Sequence, residues 1–123
     1  MKTGLVIYAA SVHHLAGFYA HVLELEVKEM ETDYALLADD DFELVLLATE
    51  VSRSIAKTYV AREATPIKPV FFVGASLEVL KDRVAAKGGA LYQTKVWEFG
   101  GRQVCDGHDC EGNIFQLRIR KNV

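Results

Sequence analysis

The sequence lacks any apolar run approaching the roughly 20 residues that a membrane-spanning helix needs, so neither a membrane segment nor a membrane partner is expected. Cysteine is scarce. Cys105 and Cys110 are the only two, and the opening residues carry one basic residue and too short an apolar stretch for a secretory signal. Both cysteines are therefore read as free thiols, without a disulfide framework, and a cytoplasmic location is expected. A basic excess is also missing: 14 Lys and Arg against 17 Asp and Glu give a formal net charge of -3. The basic residues are scattered, which argues against a nucleic-acid partner. No serine nucleophile motif, phosphate loop or dinucleotide fingerprint occurs, because Gly88-Gly89 follows a helical pattern and Gly100-Gly101 joins two strand patterns.

What is present is an ordinary globular composition, 50% hydrophobic and 25% charged over 123 residues, the size of one domain. Residues 5–10 form an apolar run of strand length that ends at Ser11, a good helix N-cap. Beyond it Leu15, Phe18, Tyr19, Val22 and Leu23 recur at helical spacing. Residues 27–30, 34–38 and 42–48 read as strands, the last two joined by an Asp39-Asp40-Asp41 turn. The same order then returns. Residues 70–74 read as a strand, and Ser76 opens a helix with Leu77, Leu80 and Val84 inward and Gly88-Gly89 as its stop. Residues 91–99, 103–105 and 114–119 supply three more strands, and the stretch Cys105-Asp106-Gly107-His108-Asp109 reads as a turn. Ala10-Ser11 matches Ala75-Ser76, and Phe42-Glu43-Leu44 matches Phe115-Gln116-Leu117. The expectation is an α+β fold of two βαβββ modules, about 1–49 and 68–123, within a single domain. Residues 50–67 form the connection, with a short helix near residues 53–60.

The Phe18-Tyr19 pair in the first helix, the Val22-Leu23-Glu24-Leu25 end of that helix, and the closing Asp109-Cys110-Glu111-Gly112-Asn113-Ile114-Phe115-Gln116-Leu117 resemble the vicinal oxygen chelate superfamily of glyoxalases, bleomycin-resistance proteins and extradiol dioxygenases. Cys110 stands where that superfamily commonly has proline, and Glu24 where it commonly has glycine. The resemblance implies an open, cupped sheet with helices outside, a pocket in the cup, and a homodimer.

In catalytic members the resemblance implies a divalent metal held near the start of each module's first strand and on each last strand. Carried over, the first-strand positions fall at Gly4 and at Lys68 or Pro69, and the last-strand positions at Glu43 and Gln116. Only Glu43 is an ordinary ligand. No metal or other cofactor is therefore expected, the alternative being Fe, Mn, Ni or Zn held by displaced ligands such as Glu43, Gln116 and His108. His13, His14 and His21 fall on the first helix and read as surface residues. A zinc site from Cys105, His108 and Cys110 lacks the distant second pair of ligands.

Strand alternation places Gln116 and Arg118 on the concave side with Ile114, and Glu43 likewise, while Phe115 and Leu117 face a helix. Aromatic residues on strand segments, Tyr8 and Trp97 foremost, would line the cup. The candidate ligand-binding residues are thus Tyr8, Glu43, Trp97, Gln116 and Arg118, with no catalytic residue assignable. The leading expectation is a protein that sequesters a small, partly apolar or aromatic organic molecule without a metal. The alternatives are a metal-dependent lyase, isomerase or dioxygenase, and a scaffold whose cup is filled by its own side chains.

Overall fold

The computed structural model describes residues 1–50, 61–62 and 64–120, with the side chains of 93–95 and 120 excluded. The short helix expected near 53–60 lies outside the described residues. The chain divides into two compact units, Met1–Tyr59 and Val60–Val123.

The first unit runs β1 (Thr3–Ala9), α1 (Val12–Leu23), β2 (Glu26–Met30), β3 (Tyr34–Ala38) and β4 (Phe42–Ala48). Its sheet has the order β1-β4-β3-β2, with β1 parallel to β4 and the other neighbours antiparallel. Ser11 lies in extended backbone, and its hydroxyl accepts the His14 N–H at 3.4 Å, satisfying one of the orphan donors of the first turn. Val12, Leu15, Ala16, Phe18, Tyr19 and Val22 then turn one face inward and are buried, with the Phe18 and Tyr19 rings edge to face at 5.0 Å. That face packs on β2, β3 and β4. The helix stops at Glu24, whose φ of 55° and ψ of 37° are left-handed. Asp39 Oδ1 accepts the N–H groups of Asp41 and Phe42 at 2.9 and 2.8 Å, which fixes the turn between β3 and β4.

Register sorts the two faces of this sheet. Leu5 pairs with Leu44, Ile7 with Leu46, Leu37 with Leu44 and Ala35 with Leu46, and these define the side covered by α1. Gly4, Val6, Tyr8, Glu43, Val45 and Leu47 point the other way.

The second unit runs β5 (Val70–Val73), α2 (Leu77–Ala86), β6 (Ala90–Phe99), β7 (Arg102–His108) and β8 (Ile114–Arg120). The order β5-β8-β7-β6, with β5 parallel to β8, repeats the topology of the first unit strand for strand. Ser76 caps α2 by accepting the Val79 N–H at 3.3 Å. Leu80 and Val84 are buried, Leu77 is only half-buried, and α2 packs on β6. Gly100 and Gly101 both have positive φ, 59° and 75°, the geometry of a tight hairpin turn between β6 and β7.

One expected turn is strand instead. Residues 105–108 belong to β7, where Asp106 pairs with Gln116, Gly107 with both Leu91 and Phe115, and His108 with both Ala90 and Ile114. Asp and Gly favour turns, but ladders on both sides outweigh local preference. Gly107 serves close approach here: a Cβ would lie 2.6 Å from the Ala90 carbonyl oxygen and 2.7 Å from Leu91 Cδ2.

Candidate functional site

Each sheet leaves one face less covered, and the chemistry-bearing side chains gather there. In the first unit Gly4 lies directly beside Glu43 in the parallel β1–β4 ladder. The Glu43 carboxylate is ion-paired with Lys2 Nζ at 2.8 Å, both side chains being substantially exposed. This bond, then the charge of Glu43, holds the Lys2 ammonium above its ordinary value of 10.5. Tyr8, 62% exposed, stands on the same face with Val6 and Leu47.

The second unit carries a longer polar chain. Asp106 accepts from Lys68 Nζ at 2.6 Å on one carboxylate oxygen and from Gln116 Nε2 at 3.0 Å on the other. Gln116 Oε1 in turn accepts from Arg118 Nε at 3.1 Å. Gln116 is almost fully buried, so these bonds satisfy an amide that water does not reach. Asp106 is missing from the sequence-derived candidates because its local sequence reads as a turn. With β7 extending to His108, alternation puts it on the face of Val104 and Arg102.

Beside this chain the arginines stack on aromatic rings. The Arg118 guanidinium lies 4.9 Å from the Phe99 centroid and 5.5 Å from that of Phe72, and Arg102 lies 5.0 Å from Phe72. Trp97 pairs with Val104, which pairs with Arg118, so the indole shares this face. Phe72, Phe99 and Trp97 are 62%, 57% and 41% exposed. A shallow depression of about 230 Å³ lies at Phe72, lined with it by Val73, Gly74 and Arg102.

The sequence-derived candidates therefore fall into two groups, Tyr8 with Glu43 in the first unit and Trp97, Gln116 and Arg118 in the second. Gln116 and Arg118 are in direct contact. Arg102, Phe72 and Asp106 join the second group.

The closing motif has a different use. Asp109, fully buried, accepts the Glu111 and Asn113 N–H groups on Oδ1 at 2.8 and 3.0 Å and the Asn113 amide on Oδ2 at 2.9 Å. Arg62 reaches the same turn, donating to the Glu111 carbonyl and the Asn113 side chain. These contacts build the entry to β8. His108 Nδ1 lies 2.8 Å from the Asp109 carbonyl oxygen, and His13, His14 and His21 are exposed on α1. Burial pushes the thiols of Cys105 and Cys110 up to about 11 and about 12, with Asp106 and Asp109 adding to it. Protonated thiols are poor metal ligands and poor nucleophiles. Cys105 shares the side of Leu117 in the β7–β8 ladder, whereas His108 shares that of Ile114.

The residues at the four metal positions implied by the resemblance do not fit a divalent cation. Gly4 offers no donor, and a Cβ there would already lie 3.2 Å from the Glu43 carbonyl oxygen. Lys68, whose ammonium bonds Asp106 beside Gln116, brings a fixed positive charge to that neighbourhood, while Pro69 contributes its carbonyl to the Gln116 N–H at 2.9 Å. Val70 is the residue facing Gln116 across the ladder. Glu43 is taken by Lys2 and the Gln116 amide by Asp106 and Arg118.

No family model and no curated protein matches the chain. Solved structures do. A glyoxalase-related enzyme from Fulvimarina pelagi superposes with a TM-score of 0.70 at 15% identity, over 98% of this chain and 88% of that one. A glyoxalase/bleomycin resistance protein/dioxygenase family enzyme from Burkholderia phytofirmans PsJN gives 0.67 at 19% identity, over 96% and 97%. The fosfomycin resistance protein FosX from Mesorhizobium loti gives 0.65 at 9% identity, over 98% and 91%. The chain thus has a glyoxalase-like α+β fold over nearly its whole length.

Proposed function

We propose that the protein binds a small, partly aromatic organic molecule without a metal, in the manner of a sequestering member of the bleomycin-resistance type. The observation that carries this reading is the occupation of the ligand positions by lysine chemistry. Lys2 neutralises Glu43, and Lys68 neutralises the Asp106 that holds Gln116. A divalent cation brought to either carboxylate would have to displace an ammonium already in place, with neither Gly4 nor Lys68 to complete its shell. The exposed rings of Tyr8, Phe72, Trp97 and Phe99 supply apolar, stackable surface instead. The reading keeps the protein cytoplasmic and homodimeric, the latter checked by sedimentation velocity.

A second reading rests on Glu43 alone. Its lysine partner is more than half exposed, and exposed ion pairs contribute little, so a metal-dependent lyase, isomerase or dioxygenase with displaced ligands would recruit this carboxylate first. A thermal-shift screen of aromatic and heteroaromatic metabolites separates the two. The binding reading expects at least one compound to raise Tm with chelator present, through preferential binding to the folded state. A screen in which compounds act only with added metal, or in which none acts, rejects it.

A further inference from the structure

Among the described residues, the second unit holds a pair of cations that no carboxylate balances. Among the described side chains, Lys68, Arg102 and Arg118 are the basic ones on the open face of its sheet, and Lys68 is neutralised by Asp106, at 2.6 Å. Arg102 and Arg118 have no carboxylate partner among the described residues. Both instead lie over aromatic rings, at 4.9 to 5.5 Å, a contact that attracts the guanidiniums without neutralising them. Arg118 is held further by its Nε bond to Gln116, which Asp106 and Lys68 anchor in turn. Only Nε is engaged in that bond, so the terminal nitrogens remain available as a fork of donors. Two guanidiniums gathered around one phenyl ring repel each other, and the arrangement gains most from an anion shared between them.

The surroundings define the rest of such a ligand. Phe72 and Phe99 are more than half exposed, Trp97 stands on the same face, and the depression beside Arg102 is small and open. Exposed aromatics next to arginines that no carboxylate pairs with among the described residues match a flat aryl group carrying one negative charge. A nucleic acid would need a larger positive field than a chain of net charge -3 provides.

We propose that Arg102 and Arg118 form the carboxylate-binding subsite for a small aryl acid, with its ring seated against Phe72 and Phe99. This rests on the small-molecule reading above and adds the charge and class of the ligand. Isothermal titration calorimetry of the full chain with 1-naphthoate, its neutral counterpart 1-naphthalenemethanol, and acetate tests it. The naphthoate is expected to bind at least about tenfold more tightly than either of the others, the range expected for charge-assisted hydrogen bonds. Arg118→Gln and Arg102→Gln should each weaken naphthoate by a similar factor and leave the alcohol unchanged, whereas Lys28→Gln, the same charge change in the first unit, should alter neither. Arg118→Lys keeps the charge and loses the fork, so it should recover only part of the affinity. Thermal melts of each variant confirm that it folds. Equal affinity for acid and alcohol, or naphthoate binding indifferent to both glutamine variants, overturns the proposal while leaving the small-molecule reading intact. So does a change in sedimentation coefficient on Arg118→Gln without loss of naphthoate affinity, which assigns the face to a second copy of the chain. Failure of the reading itself shows elsewhere, as a metabolite screen with no stabilising compound.

Discussion

At the scale of single residues, alternation along a strand is enough to place Glu43, Gln116 and Arg118 on one face of their sheets, but not to show that Glu43 finds an ion-pair partner. The identity of that partner is not legible, because Lys2 lies outside β1 and its reach depends on side-chain conformation. Asp106 is hidden for a different reason: its neighbours Gly107 and Asp109 favour turns, and only the cross-strand ladder overrides them. The two thiols carry a prediction that composition alone would not suggest. Their folded values, about 11 and about 12, stand above the ordinary 9.0, so on raising the pH an unfolded chain sheds these protons first. Their contribution to stability is therefore complete below about pH 9 and is lost as the pH climbs through the folded values. Denaturation midpoints should fall between pH 9 and 11, and fall less in a Cys105→Ala, Cys110→Ala double variant. At pH 8 a disulfide reagent such as dithionitrobenzoate should modify the folded protein far more slowly than the protein in guanidinium. Rapid modification of both thiols in the native protein contradicts the burial that raises them.

At the scale of elements, both helix starts are readable because Ser11 and Ser76 stand immediately before an apolar, helically spaced run, and both act as N-caps. The end of α1 is readable only as an oddity, glutamate at a place where the family resemblance implies glycine. The left-handed backbone of Glu24 explains the oddity, since an L side chain there costs about 1 kcal/mol or more. Part of that is offset by the extra unfolded-state freedom of glycine, so Glu24→Gly should stabilise by about 0.5–1 kcal/mol. In a chain of this size that is about 2–4 °C in Tm, and an unchanged or lowered Tm would show that contacts of the Glu24 side chain outweigh the strain. Gly107 makes the opposite case. Its backbone conformation is unexceptional, and the constraint is space, with Ala90, Leu91 and Phe115 all closer than normal contact to where a methyl group would stand. Gly107→Ala should destabilise by about 1–3 kcal/mol through overpacking, measurable by urea unfolding. A neutral result would mean that β6 moves away freely, and that the two-sided ladder through residues 107 and 108 is looser than its register implies.

At the scale of the whole molecule, fold and chemistry part company. The doubled strand-helix-strand-strand-strand order is legible from periodicity and capping, because both modules must bury a helical stripe against a sheet and any sequence that does so shows it. Solved structures share that architecture at only 9% to 19% identity, so the fold tolerates nearly complete replacement of its side chains. What a given chain binds is then a property of its open-face residues and not of the architecture. Here those residues are Gly4, Lys2, Glu43, Lys68, Asp106 and Gln116, and a resident metal would have to leave a thermodynamic trace. A ligand bound at a hundred times its Kd stabilises the folded state by about 2.7 kcal/mol, which for this chain length is on the order of 10 °C. Dialysis of the purified protein against EDTA should therefore leave Tm within about 1 °C, and readdition of Fe, Mn, Ni or Zn should not raise it, because lysine ammoniums already neutralise both carboxylates at issue. A drop of several degrees on chelation, reversed by one of these metals and absent from Glu43→Ala, would place a cation on the Lys2–Glu43 pair and turn the molecule back into a metalloprotein.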